Sequence, residues 1–132
     1  MLTQTSDPTG VLLGCGVDAE AIDRFETIPT TERAWHLVFT EAELAHCHAL
    51  PRPALGLCAA FCCKESLCKA LPTPYNFTDC ELYLDPFRGA QDLVISASIL
   101  HDFGIERVTA RIDGPHNGEM IAAVFTFGGR PT

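Results

Sequence analysis

The sequence predicts an α+β fold: an antiparallel sheet packed against one long helix and several short ones. The length of 132 residues, with 47% hydrophobic and 20% charged residues, is typical of one globular domain. Helical patterns occupy much of the first half, and alternating, strand-sized patterns occupy the second. No regular series of strand, helix and strand appears, so a parallel sheet is not expected. We expect a single domain over residues 1–132, with the polar residues 1–9 flexible.

The chain begins with a predicted buried strand. Residues 10–18 are apolar and contain three glycines, and this strand is predicted to end on Asp18. A short helical segment follows, because Ile22 and Phe25 are three residues apart, as on one helical face. Pro29 is predicted to end it.

Two further helices are predicted before residue 72. Thr40 is a good N-cap, and Glu43 has the spacing of a capping box. Pro51 and Pro53 are predicted to break this helix. The segment 55–71 is rich in Ala and Leu and contains no proline, so it predicts the longest helix of the protein.

The remaining chain is predicted to be mainly strands. The predicted elements are strands at 80–85, 92–96, 107–113 and 119–127 and a helix at 97–103 that Gly104 closes. Residues 113–118 are rich in turn formers and lie between the last two strands, which predicts an antiparallel hairpin.

Charge and composition exclude several classes of protein. The formal net charge is −8, so a nucleic-acid binder is not expected. No apolar run is long enough to cross a bilayer, and the polar start does not resemble a secretory signal. The seven cysteines include no C-x-x-C pair, which favours free thiols in a reducing cytoplasm.

Two groups of residues carry candidate chemistry. Asp18 lies at the predicted end of the first strand, with Glu20 two residues on, and carboxylates there are suited to a hard cation such as Mg²⁺, although such an Asp is more often a helix N-cap. Both lysines of the chain, Lys64 and Lys69, flank Glu65 in the long helix. The ammonium groups of these lysines are suited to binding phosphate, whereas the simpler interpretation is an exposed ion pair between Glu65 and Lys69.

Taken together, these segments resemble the 4′-phosphopantetheinyl transferases, most closely the small holo-acyl-carrier-protein synthase type. The matching motifs, in order, are GVD at 16–18, IDRF at 22–25, FTEAEL at 39–44 and FCCKESLCKAL at 61–71. Members of this family move the 4′-phosphopantetheine arm of coenzyme A onto a serine of an acyl carrier protein. The resemblance implies the fold of that family and a homotrimer with the active site between subunits.

The resemblance also implies roles for individual residues. Asp18 and Glu65 would bind Mg²⁺ together with the pyrophosphate of coenzyme A. Lys64 and Lys69 would neutralise phosphate charge, and Glu20 would be a third metal ligand or a base. The general base stays open among Glu20, Glu65 and Asp18 acting through a water.

The chain departs from the family pattern at several positions. Two family arginines are replaced by Leu37 and Ala60, and the late Ser-x-Ser-His motif is matched by His116 only with a shift. His116 and Arg24 are the remaining expected contacts to coenzyme A. An acidic protein needs a local basic patch to meet an acidic carrier, and the candidates for it are Arg24, Arg33 and Arg52.

Two alternatives to a transferase of fatty-acid or polyketide carriers remain. The first is a protein of the same fold that binds coenzyme A or a carrier without transfer. The second is a cysteine-rich metal or redox protein, suggested by the seven cysteines and the adjacent His46, Cys47 and His48. Only the first predicts coenzyme A binding.

Overall fold

The structure, a computed structural model, describes residues 10–27, 32–85 and 90–129. Its elements are β1 (Val11–Ala21), α1 (Asp23–Thr27), a 3₁₀ helix (Arg33–Leu37), α2 (Glu41–His48), α3 (Pro53–Ala70), another 3₁₀ helix (Phe77–Asp79), β2 (Cys80–Asp85), β3 (Ala90–Ile95), α4 (Ala97–Asp102), β4 (Arg107–His116) and β5 (Glu119–Gly128). The predicted α+β class is confirmed. The expectations for residues 1–9 and Pro29 lie outside the described residues.

Two antiparallel sheets are built from these strands. One has the order β1-β5-β4, and the other pairs β2 with β3. In the larger sheet, Asp18 and Ile112 both pair with Ala122, from opposite sides. The even-numbered residues of β5 are buried, and helix α3 packs on the sheet. The sheet's other face is exposed.

Strand β1 lies unusually close to helix α3. A side chain at Gly14 would collide with the carbonyl oxygen of Ala70, and one at Gly16 would collide with that of Ser66. Successive side chains of a strand point to opposite faces, so Gly16, Asp18 and Glu20 share one face. The close approach therefore brings the Asp18 side of β1 against α3.

Three predicted boundaries are wrong. Strand β1 continues to Ala21, so Asp18 lies inside the strand, because pairing with β5 extends it. The following helix begins only at Asp23, although Ile22 and Phe25 are both buried, as their spacing predicted. Helix α3 begins at Pro53, not at residue 55, because proline is tolerated in the first helical turn.

The final hairpin is tighter than predicted. Strand β4 continues to His116, and the turn is reduced to Asn117 and Gly118, both at positive φ. Asn-Gly is the preferred pair for a two-residue turn of this kind. Within the described residues, no helix combines the length and apolarity needed to cross a membrane.

The predicted capping box of α2 is confirmed. The Thr40 hydroxyl accepts a hydrogen bond from the Glu43 backbone N–H (3.1 Å), and the Glu43 carboxylate accepts one from the Thr40 N–H (3.0 Å). This fixes the Glu43 side chain at the start of α2, where it is fully buried.

Candidate functional site

Asp18 and Lys69 form the centre of the candidate site. The Lys69 ammonium donates to Asp18 Oδ1 and to the Val17 carbonyl, both at 3.0 Å. The hydrogen bond to Asp18 raises the pKa of Lys69, and the charge of Glu65 adds to this effect. The simpler interpretation, a Glu65–Lys69 surface pair, is therefore not the main contact that Lys69 makes.

Asp18 has an unused acceptor. Its Oδ2 is buried and has no hydrogen-bond partner among the described residues. A buried carboxylate oxygen without a donor is unfavourable unless a proton or a cation reaches it. The atom is thus suited to a bound cation.

Glu20 lies beside Asp18 on the same face of β1. Burial raises the pKa of Glu20, and the neighbouring Asp18 raises it further, while Arg24 acts in the opposite direction. Arg24 donates to Glu20 Oε1 at 2.9 Å. Two carboxylates are thus held close together, although inside β1 and not at the end of a strand, where the sequence predicted them.

Glu65 is half-buried and close enough to Lys69 to raise its pKa. However, no group of three or more Asp, Glu, His or Cys side chains within residues 10–27, 32–85 and 90–129 has the arrangement of a metal site. Asp18, Glu20 and Glu65 do not converge as three ligands. One or two carboxylates are sufficient for Mg²⁺ when phosphate oxygens and waters supply the rest.

Two thiols support the backbone beneath these carboxylates. Cys62 Sγ donates to the Asp18 carbonyl at 3.1 Å, and Cys58 Sγ donates to the Glu20 carbonyl at 3.5 Å. Burial raises the pKa of both thiols to about 12, so they are neutral at ordinary pH. The sequence indicated free cysteines but not this contact with β1.

The structure contradicts the expectation that Lys64 contacts phosphate. Its side chain is 0% exposed. The ammonium donates to the Glu43 carboxylate at 2.9 Å and to the carbonyls of Phe77 (2.7 Å) and Cys80. All three donors are used inside the protein, so none remains for a ligand. The sequence offered one hint of this contact: the helix that follows the capping glutamate Glu43 contains Lys64.

The other predicted cationic contacts are distributed over the surface. Arg24 pairs with Glu20, and Arg52 pairs with Glu26 at 2.7 Å, whereas Arg33 is exposed on the first 3₁₀ helix. His116 lies on the β4–β5 hairpin, with its Nε2 3.4 Å from Asp113 Oδ1. Within one chain, His116 is two strands away from β1.

The chain is similar in sequence to known proteins. Residues 14–124 match the family model of the 4′-phosphopantetheinyl transferase superfamily. The chain is 34% identical over 131 residues to the holo-acyl-carrier-protein synthase of Anaeromyxobacter dehalogenans strain 2CP-1, covering 92% of this chain and 100% of the relative. It is 32% identical over 101 residues to the synthase of Finegoldia magna, covering 67% and 85%.

Solved structures share the fold. The holo-acyl-carrier-protein synthase of Neisseria meningitidis superimposes with a TM-score of 0.73 at 21% identity, covering 88% of this chain and 98% of that one. The Bacillus anthracis synthase, solved in complex with coenzyme A (3′,5′-ADP), gives 0.70 at 22% identity, covering 89% and 98%. Because the family model matches residues 14–124 and the Anaeromyxobacter relative is matched over its full length, the chain belongs to the 4′-phosphopantetheinyl transferase superfamily.

Proposed function

We propose that this protein transfers the 4′-phosphopantetheine group of coenzyme A to a serine of an acyl carrier protein, with Mg²⁺ as the metal. The observation that carries the proposal is Asp18, which Lys69 holds by one oxygen while the other is buried without a partner. The relatives named above and the coenzyme A complex of the Bacillus anthracis synthase support the same reaction.

The donor set fits a magnesium ion. Asp18 would hold it through Oδ2, and Glu65 would supply a second carboxylate, with pyrophosphate oxygens and waters as the remaining ligands. When bound, Mg²⁺ neutralises charge on the phosphoryl oxygens. Lys69 is half-exposed, so its ammonium reaches solvent and adds a positive charge beside the transferred phosphate.

Glu20 belongs to this site as a metal ligand beside Asp18 or as the base for the carrier serine. The two roles predict different results for Glu20→Gln, which keeps the shape of the side chain. Loss of a ligand raises the Mg²⁺ concentration needed for half-maximal rate. Loss of a base lowers kcat even at saturating Mg²⁺.

The exposed face of the larger sheet supports association of identical copies. Val17 is 57% exposed, and Ile121 and Phe125 lie on the same face. Contiguous apolar surface of this kind is typical of interfaces. A homotrimer formed through it gives each site a neighbouring subunit, to which the His116 hairpin can contribute.

Light scattering after size exclusion tests the trimer. Val17→Lys places a charge on this face and is expected to give monomers. Val94→Lys makes the same change at an exposed valine of β3, outside this face, and is expected to leave the trimer intact. A wild-type monomer with full activity would contradict the trimer but not the transferase.

The transferase is tested by the intact mass of an apo acyl carrier protein after incubation with this protein, coenzyme A and Mg²⁺. We expect a gain of about 340 Da, the mass of one phosphopantetheine. Asp18→Ala and Glu65→Ala should abolish it, whereas Asp92→Ala, at an exposed carboxylate of β3, should not. No gain on fatty-acid or polyketide carriers, with coenzyme A still bound, would indicate the non-catalytic alternative.

We also propose a cytoplasmic location. All seven cysteines are free in the structure, and five of them are buried. Free thiols in this number are typical of reducing compartments.

A further inference from the structure

Helix α3 presents a row of hydrogen-bond donors to the larger sheet. Cys58, Cys62 and Ser66 are four residues apart, so their side chains lie on one face of the helix. Each of them donates to a strand carbonyl. The two thiols reach β1, and the serine hydroxyl reaches Ala122 of β5 at 2.9 Å. The row therefore holds the sheet against α3 by hydrogen bonds as well as by apolar packing.

The contact of Cys62 is made with the residue at the centre of the candidate site. Its Sγ donates to the Asp18 carbonyl at 3.1 Å, while the second carbonyl within reach, that of Met120 on β5, is 3.5 Å away. Cys62 is 0% exposed. Burial raises the pKa of its thiol to about 12, so the sulfur keeps its proton and stays a donor at ordinary pH.

Strand β1 depends on α3 for its position because it is an edge strand. It pairs with β5 on one side only, and α3 packs against its Asp18 face. Asp18 is held at two points, its backbone carbonyl by Cys62 and its carboxylate Oδ1 by Lys69. One contact fixes the backbone and the other fixes the side chain, so together they determine where the carboxylate points.

We propose that Cys62 is a positioning residue of the cation site, whose thiol holds the Asp18 backbone so that the carboxylate is directed toward Mg²⁺. The inference rests on the proposed function, because it concerns the metal of the transferase. Cys62 does not contact the ion and acts only through Asp18. Hydrogen bonds that orient the ligands of a metal commonly raise its affinity. Cation affinity should therefore depend on the hydrogen-bond donor at position 62.

Binding of Mn²⁺ tests this without using the rate of transfer. Mn²⁺ prefers oxygen ligands in the same octahedral geometry as Mg²⁺, and electron paramagnetic resonance measures its free concentration. In the protein saturated with coenzyme A, Cys62→Ala should weaken Mn²⁺ binding by about three- to tenfold, because the donor is lost. Cys62→Ser keeps a donor and should bind Mn²⁺ within about twofold of the wild type.

Cys63 provides the matched control. It is the next residue of α3 and is equally buried, but its thiol is hydrogen-bonded to Cys80 of β2 and not to β1. Cys63→Ala also removes a buried thiol, so it should lower the free energy of unfolding about as much as Cys62→Ala does. Its affinity for Mn²⁺ should stay that of the wild type. Urea unfolding followed by Trp35 fluorescence measures the stability of each variant.

A measurement on the wild-type protein serves if Cys62→Ala fails to fold. The infrared S–H stretching band of Cys62 is the one that Cys62→Ser removes. This band should shift when Mg²⁺ binds to the coenzyme A complex, because the thiol donates to the residue that holds the ion. An unchanged band would count against the inference.

The remaining outcomes separate the inference from the proposed function. If Cys62→Ala binds Mn²⁺ like the wild type, or if Cys62→Ser binds it as weakly as Cys62→Ala, the thiol does not position the carboxylate. The same loss in Cys63→Ala would also overturn the inference, because cation affinity would then follow stability alone. In each of these cases a wild type that modifies a carrier keeps the transferase. If the wild type binds neither coenzyme A nor Mn²⁺ and modifies no carrier, both proposals are wrong.

Discussion

Replacing Lys64 by methionine tests the conclusion that this lysine stabilises the fold and takes no part in the chemistry. Methionine is similar in length but carries no charge, so Glu43 would keep a buried charge without its ammonium partner. The carbonyls of Phe77 and Cys80 would also lose a donor. Breaking a buried ion pair from one side costs about 3–5 kcal/mol, and for a chain of this size the melting temperature should fall by roughly 10–20 °C.

Urea unfolding followed by Trp35 fluorescence measures this loss, with all variants at one protein concentration because association adds to stability. Lys69→Met is the matched control. Lys69 is half-exposed, so its loss should lower stability less than the loss of Lys64, while transfer to the carrier falls sharply. A Lys64→Met protein as stable as the wild type but inactive would refute the reasoning and return Lys64 to the site.

Three further predictions concern the contact of β1 with α3, a buried thiol and an exposed thiol. Gly16→Ala should destabilise the protein by roughly 1–3 kcal/mol in urea unfolding, because the added methyl group would collide with the Ser66 carbonyl. Unchanged stability would contradict the close approach of β1 to α3. The free energy of unfolding should fall as pH rises from about 9 to about 12. Burial raises the pKa of Cys58 to about 12 in the folded protein, so the thiol ionises first in the unfolded chain. Cys58→Ala should make the slope of the free energy of unfolding against pH less steep by about 1.4 kcal/mol per pH unit. Cys15 lies on the exposed sheet face, so iodoacetamide should label it slowly in a trimer and quickly in Val17→Lys, and equal rates would argue against that interface.

The elements that the sequence predicted well are those set by local interactions. The capping box needs only Thr40 and Glu43, three residues apart, and the final hairpin needs a turn pair between two alternating segments. The errors occur where a segment distant in the sequence determines the bounds of an element. Strand β1 passes Asp18 because β5 pairs with it as far as Ala21, a contact that no local pattern contains.

The same distinction applies to the site. Asp18 and Lys69 could be predicted as neighbours only through the family resemblance, because 51 residues separate them. The burial of Lys64 depends on carbonyls at Phe77 and Cys80, beyond the end of its own helix. The unpaired indole of Trp35 is likewise invisible in the sequence, since it depends on whether the fold brings an acceptor to it, and none lies among the described residues.

The burial of Lys64 has a consequence for its neighbour. Consecutive residues of a helix are about 100° apart, so anchoring Lys64 toward Glu43 and Cys80 also fixes the direction in which Glu65 points. The double variant Lys64→Met, Glu43→Gln separates the charge from this orientation. It removes both charges of the pair and keeps an amide oxygen as an acceptor for the backbone N–H groups of Thr40 and Leu82, so it should recover part of the stability lost by Lys64→Met alone, because no unpaired charge is left buried. If stability returns but transfer activity does not, the pair is needed to orient Glu65; if both return, its role is confined to folding.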